Sequence, residues 1–267
     1  MFTQYFGLKF NPFTKEMDVK DVFMSQDSKE LLSRLEFIKR TRGFFLLTAE
    51  SGFGKTTLLR MFSSSLNPGL FKVCYSALSS LTVMDFYRSL VVRMGETPAY
   101  QKIMIFEQLQ KLISNSYYEK KITPVFILDE AQSLSGGVLE DLRMIFNFKM
   151  DSENPFITIL AGNNTIRRKL QLSANKALRQ RIVGNYHMMG LLREEIGAYI
   201  KSRLSIAGGA DTNVFTDAAL EAMFISTGGA LRLINTLAVA SLTCACSRNQ
   251  NVVDEEIVYQ ADRDIEI

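Results

Sequence analysis

Apolar residues recur at steps of three and four along residues 27–40, DSKELLSRLEFIKR, the spacing that lines one face of an α-helix, with Asp27 or Ser28 placed to cap it and Glu30 in its first turn. The next run, GFFLLTAE at 43–50, is apolar almost throughout, as a strand buried on both faces requires, and it ends at a turn holding Gly52 and Gly54. A helix is predicted after that turn, over residues 56–65. Further strands are predicted at 71–77 (FKVCYSA), 124–130 (PVFILDE) and 156–162 (FITILAG), with helical periodicity between them at 83–94 and 138–148. Strands that alternate with helices predict an α/β fold, a parallel sheet covered by helices on both faces. Beyond VGNYHMMG at 183–190 the periodicity is helical alone, in REEIGAYIKSRLSIAG, TDAALEAMFISTGG, ALRLINTLAVASLTCAC and VDEEIVYQADRDI. The expected layout is an α/β domain over residues 1–190 and a small all-helical domain over 191–267, with neither a repeat nor a low-complexity linker between them.

At 267 residues the chain can bury a sizeable core, and 47% hydrophobic with 22% charged residues is the balance of an ordinary globular protein. The net charge of +3 neither demands nor excludes a polyanionic partner. Cys74, Cys244 and Cys246 include no C-x-x-C pair and cannot all pair with one another, which predicts free thiols and a reducing, cytoplasmic compartment. The amino terminus, MFTQYFGLKFNPFTKE, lacks the basic start and unbroken apolar run of an export signal. The most apolar stretch, 234–246, is broken by Asn235 and by several Ser and Thr and is too short to span a bilayer, so no membrane partner is expected. His187 is the sole histidine, which argues against a histidine metal cluster or a histidine-based triad.

The first candidate chemistry lies at 48–59, TAESGFGKTTLL, a near-match to the phosphate-binding pattern G-x-x-x-x-G-K-[ST] with Ala49 in place of the first glycine. Gly52 and Gly54 let backbone N–H groups approach phosphate oxygens, and the following helix directs its positive end at the anion. Lys55 is suited to the β and γ phosphates and Thr56 to Mg²⁺, so Ser51, Gly52, Phe53, Gly54, Lys55, Thr56 and Thr57 form the candidate cradle. The first glycine of the pattern mainly eases the bend from strand to loop, and alanine is the smallest replacement, so the cradle is expected to survive.

A second candidate is PVFILDEAQSL at 124–134, where an apolar strand ends in Asp129, a ligand for Mg²⁺, and Glu130, which could polarise an attacking water. Two acids that end a strand could instead form an exposed turn, but the loop upstream and the apolar run directly before them favour the site. The strand FITILAGNN ends at Asn163 and Asn164, amides able to orient that water or simply to form a turn. In NKALRQRIVGNYHM, Arg179 and Arg181 could neutralise charge on a phosphate bound by a neighbouring subunit, although such a pair is commonly a solvated helix end. Arg232 in STGGALRLIN could reach back to a nucleotide across a domain cleft, or lie on the surface.

In this order, and over nearly the whole chain, these elements resemble the AAA+ ATPases. The segments YFGLKFNPF (5–13), LDEAQ, LRQRI and GGALRLIN resemble the ExeA-like branch in particular. The resemblance implies an AAA+ P-loop NTPase core with a helical lid, ATP and Mg²⁺ as cofactors, Asn163 as sensor one, Arg181 as arginine finger with Arg179 as second candidate, and Arg232 as sensor two. It also implies that Phe10, Asn11 and Pro12 lie near the adenine. ExeA itself continues past its ATPase domain into a membrane span and a cell-wall-binding part, and the end of this sequence at Ile267 sets an expectation against secretion. ATPases of this size resemble the transposition helpers related to the Mu B protein, TnsC and IstB. That likeness implies a homo-oligomeric ring or helical filament on double-stranded DNA, held through the backbone without strong sequence preference, and a transposase as partner. On the same likeness, Ser79, Ser80, Thr82, Tyr100 and Lys102 are the candidate DNA contacts. The alternative is an AAA+ ATPase of a secretion, signalling, defence or helicase-loading system that acts on a protein partner.

Overall fold

The computed structural model describes residues 2–14, 16–77, 82–209 and 212–265. Along the chain run α1 (Phe2–Tyr5), α2 (Gln26–Thr41), β1 (Gly43–Thr48), α3 (Lys55–Ser65), β2 (Phe71–Ala77), α4 (Val83–Arg93), α5 (Lys102–Ser114) and β3 (Thr123–Asp129). They are followed by α6 (Gly136–Ile145), β4 (Ile157–Gly162), α7 (Asn164–Gln171), α8 (Lys176–Gln180), β5 (Ile182–His187), α9 (Ile196–Ile206), α10 (Asp217–Thr227), α11 (Leu231–Ser247) and α12 (Glu255–Ile265). The chain forms two compact units.

The first unit, Glu30–Glu50 with Lys55–Met188, contains a five-stranded parallel sheet in the order β2-β3-β4-β1-β5, with helices on both sides. Its central strands β1 and β4 are buried at every position, as parallel strands covered on both faces must be. Phe44, Phe126, Phe146, Phe148 and Phe156 form an aromatic cluster in the core, with Phe146 and Phe156 ring centroids 4.4 Å apart. Register brings the chemistry to one edge: Thr48 pairs with Gly162, Leu128 with Leu160 and Ala77 with Asp129. The ends of β1, β3 and β4 therefore share the carboxyl edge of the sheet, where open parallel sheets place their ligand sites.

Elements that the periodicity did not predict include α1, α5, α7 and β5. In β5 burial falls short of a core strand, and the strand pairs on one side only, with β1. In α5 Ile105, Leu109 and Ile113 are buried, but Ile103 and Met104 stand exposed beside them, so the apolar positions do not outline a single face. The cap of α2 also differs from expectation: Ser25 Oγ accepts the Ser28 N–H at 3.1 Å, and Asp27 and Ser28 lie inside the helix.

The second unit comprises the chain up to Lys29, Ser51–Gly54 and the chain from Met189 onward. Its core joins Ile196, Ile200, Ala219, Met223, Ile234, Leu237 and Ile257 of α9 to α12 with Leu8 and Phe13 of the amino-terminal segment. That segment thus groups with the helices, whereas the expected layout placed it in the α/β part. Helix α10 ends at Gly228 and Gly229, both left-handed, and the Gly229 carbonyl accepts the Leu191 N–H at 2.9 Å. No described helix is long and apolar enough to cross a membrane.

Candidate functional site

In the α/β unit, β1 runs straight into the loop through Ala49, which is fully buried and donates its N–H to the Gly162 carbonyl at 3.0 Å. Ala49 has no positive φ, so the backbone there makes no demand for glycine. Lys55 opens α3 and turns its Nζ back on the loop, donating to the carbonyls of Ala49 at 2.8 Å and Glu50 at 3.3 Å. A phosphate arriving at the start of α3 would meet this ammonium together with the helix N-terminus.

Asp129 ends β3 and is 2% exposed, so its carboxyl oxygens need hydrogen-bond partners. Its Oδ2 accepts the Thr56 hydroxyl at 2.8 Å and the Tyr75 hydroxyl at 3.1 Å, and its Oδ1 accepts the Glu130 N–H at 3.0 Å. Burial, followed by the charge of Asp129, pushes the Tyr75 phenol up to about 12, so Tyr75 is a donor to this carboxylate. The Thr56 hydroxyl and the Asp129 carboxylate place two hard oxygens side by side at the helix start, a donor set that fits Mg²⁺.

Glu130 stands exposed just past the strand with φ 57°, a left-handed conformation unusual for its type. Gln132 Nε2 donates to Glu130 Oε2, and Gln132 Oε1 accepts the Asn163 N–H at 3.2 Å. Asn163 is half-buried and caps α7, its Oδ1 accepting the Thr165 N–H at 2.8 Å, while Asn164 Nδ2 donates to Glu50 Oε1 at 2.8 Å. The link through Gln132 was not anticipated from sequence. Its signal lay in the residues DEAQ, which place an amide two positions after the second acid.

In the helical unit, Ser51–Gly54 lies against the start of α11. Gly52 and Gly54 are left-handed at φ +88° and +91°, a conformation that favours glycine. The Gly52 carbonyl accepts the Arg232 N–H at 3.1 Å and the Ser51 hydroxyl lies 3.1 Å from Arg232 Nη1, so Arg232 is held at the loop by backbone and side chain together. Phe53 is half-buried near Gly190. At the amino terminus Asn11 Oδ1 accepts the Phe13 N–H at 3.0 Å, Pro12 is buried and Phe10 is 48% exposed.

Arg181, expected to face a neighbouring subunit, is held in its own chain by Asp151 at 2.7 Å and by the Arg143 carbonyl at 2.5 Å. Arg179 is exposed, with a single long bond of 3.4 Å to the Gln171 carbonyl. Of the expected DNA contacts, Ser79 and Ser80 lie outside the described residues. Thr82 caps α4 through the Asp85 N–H, Tyr100 is 87% exposed, and Lys102 pairs with Asp141 at 2.8 Å. Thr57 is half-buried in the first turn of α3.

Residues 38–170 match the family model described as the AAA domain. General secretion pathway protein A of Aeromonas hydrophila is 32% identical over 257 residues, covering 95% of this chain and 46% of that protein, so the chain spans about half the length of this curated relative. Among solved structures, the Aeropyrum pernix ORC2 protein in ADPNP–ADP complexes aligns with a TM-score of 0.66 at 17% identity, covering 96% of this chain and 71% of that one. The ORC1 protein of Aeropyrum pernix in complex with DNA aligns with a TM-score of 0.64 at 18% identity, covering 96% and 69%. Fold and loop together define the class: an AAA+ P-loop fold with a helical carboxyl-terminal part, whose AAA domain implies nucleotide binding and hydrolysis in general. Within that class, the chain is similar to the secretion protein over nearly its whole length.

Proposed function

We propose that the chain is a Mg²⁺-dependent ATPase that oligomerises on duplex DNA and directs a partner transposase to its target. The observation that supports the ATPase reading most directly is the Thr56 hydroxyl on the buried Asp129 carboxylate at 2.8 Å, with the Glu130 carboxylate exposed one residue further on. When bound between Thr56 and Asp129, Mg²⁺ supplies charge neutralisation to the β and γ phosphates. Lys55 exchanges its loop carbonyls for phosphate oxygens, and the N–H groups of the glycine loop and of the first turn of α3 surround the anion. Glu130 takes a proton from the attacking water as the water oxygen bonds to the γ phosphorus; the bond to the bridging oxygen breaks, ADP leaves with the electron pair and inorganic phosphate forms. Asn163 and Arg232 contact the γ phosphate, Asn11 and Pro12 flank the base, and Arg181 of one protomer completes the site of the next by exchanging Asp151 for phosphate, with Arg179 as the second candidate.

The DNA role draws support from the ORC1 structure solved with DNA and from Tyr100, whose ring stands exposed ahead of α5; Thr82 would have to exchange its bond to Asp85 for a phosphate oxygen. Its footprint also includes Ser79, Ser80 and Lys102. A second reading has its own observation: 32% identity to General secretion pathway protein A over 95% of the chain favours a secretion-type ATPase that acts on a protein partner. Measuring ATP turnover and negative-stain assemblies with and without random duplex separates the two, using wild type and Glu130→Gln. Stimulation by DNA, with Glu130→Gln trapped as rings or filaments on duplex, is the expected result. Turnover and assembly indifferent to DNA would transfer the case to a protein partner.

A further inference from the structure

Gln132 is engaged at both ends of its side chain and at its backbone. Its Nε2 donates to Glu130 Oε2, its Oε1 accepts the Asn163 N–H at 3.2 Å, and its own carbonyl accepts Lys169 Nζ at 2.6 Å. Lys169 also donates to the Leu134 carbonyl at 2.8 Å, so α7 fixes the turn that carries Gln132. Space for the amide comes from Gly162, at the end of β4. A Cβ there would sit 2.6 Å from Gln132 Oε1 and 3.2 Å from its backbone N. Gly162 has no positive φ, so the need for glycine at this position is room rather than backbone freedom.

We propose that Gln132 is a positioning residue for Glu130, an inference that rests on the ATPase reading. By holding Oε2, the amide leaves Oε1 as the oxygen that receives the water proton, and it ties that carboxylate to the strand end that bears Asn163. Glu130 is exposed and left-handed, and a free carboxylate there would sample several rotamers. Anchoring one oxygen removes that freedom before substrate arrives, which is the part of catalysis that orientation supplies. Gln132 touches neither substrate nor metal in this scheme and acts through Glu130 alone.

The test is a double-mutant cycle in single-turnover ATP hydrolysis, with nucleotide binding measured separately. Gln132→Ala is expected to lower kcat about tenfold with KM for ATP unchanged, because the loss is of orientation and not of binding. Gln132→Glu, which keeps the length but lacks the donor, is expected to lose at least as much. Gly162→Ala is expected to match them. In a Glu130→Gln background, Gln132→Ala is expected to have no further effect. An equal proportional loss in both backgrounds would make Gln132 merely structural and overturn the inference, as would an unchanged or raised kcat in Gln132→Ala. A wild type without ATP turnover would instead sink the ATPase reading, and this inference with it.

Discussion

Gly228 and Gly229 follow α10 side by side, both left-handed, yet they differ in the space around them. A Cβ on Gly228, at φ +56°, meets nothing within 4 Å, whereas one on Gly229, at φ +80°, would lie 2.2 Å from the Leu191 carbonyl oxygen and 3.2 Å from the Leu191 nitrogen. Gly228→Ala is therefore expected to cost only the left-handed penalty of an L-residue, about 1 kcal/mol. Gly229→Ala adds overpacking of about 1–3 kcal/mol. It also strains the Leu191 N–H bond to the Gly229 carbonyl, worth about 1 kcal/mol, for a total of about 3–5 kcal/mol. In thermal unfolding followed by far-UV circular dichroism, this separates a fall of about 3 °C for Gly228→Ala from one of about 10 °C for Gly229→Ala. Helix α11 begins two residues after Gly229, and Arg232, three residues after it, donates its N–H to the Gly52 carbonyl. Gly229→Ala should thus also weaken nucleotide binding in a fluorescent-nucleotide titration, while Gly228→Ala leaves it unchanged. Equal losses from the two substitutions would refute the account, because it rests on the crowding at Gly229.

Other outcomes follow from single contacts. Ala49→Gly is expected to lower stability by about 1 kcal/mol without tightening nucleotide binding, since the methyl is buried and the backbone is not left-handed; a gain in affinity in the same titration would count against this. Cys74 is 1% exposed and burial pushes its thiol up to about 11, so at pH 8 it should react with an aromatic disulfide reagent only after unfolding; fast native labelling of Cys74 by mass spectrometry would contradict its burial. Tyr75 keeps its proton to about 12 against an ordinary value of 10.0, so its contribution to stability is present below pH 10 and is lost as pH rises towards 12. Tyr75→Phe should flatten that decline in urea unfolding at pH 9 to 12, and an unaltered decline would remove Tyr75 as its source. Lys55→Ala is expected to abolish nucleotide binding in equilibrium dialysis with the fold intact by circular dichroism.

The buried strands were legible because they are unmixed. β1, β3 and β4 are apolar runs that end at Thr48, Asp129 and Gly162, and each such end lies next to residues of the candidate site. The pairing of Thr56 with Asp129 was readable from residue types alone, since a hydroxyl after the loop lysine and a carboxylate at a strand end serve one cation. What sequence could not resolve was set by tertiary neighbours. β5 holds Gly184 because a Cβ there would lie 3.1 Å from the Phe45 ring, so packing and not propensity chose its residue. The amino-terminal segment joins the helical core through Leu8 and Phe13, apolar side chains whose periodicity says nothing about which of two cores receives them. Arg181 read as a free finger, but its partner Asp151 lies in a left-handed turn 30 positions earlier, which no local pattern reveals. Gln132 escaped notice because the amide in DEAQ does not say what it holds, and the room it takes comes from Gly162, whose missing side chain leaves no pattern.

That empty place ties two positions together through descent. A lineage in which residue 162 gained a methyl would press on the amide at 132, and one that lost the amide would have only the 3.1 Å approach to Ile166 Cγ2 and the 3.2 Å approach to the backbone nitrogen of residue 132 left to accommodate. Glycine at 162 and glutamine at 132 should therefore be kept or abandoned as a pair, and a sequence that retains only one of them should have placed its water-polarising acid by other means.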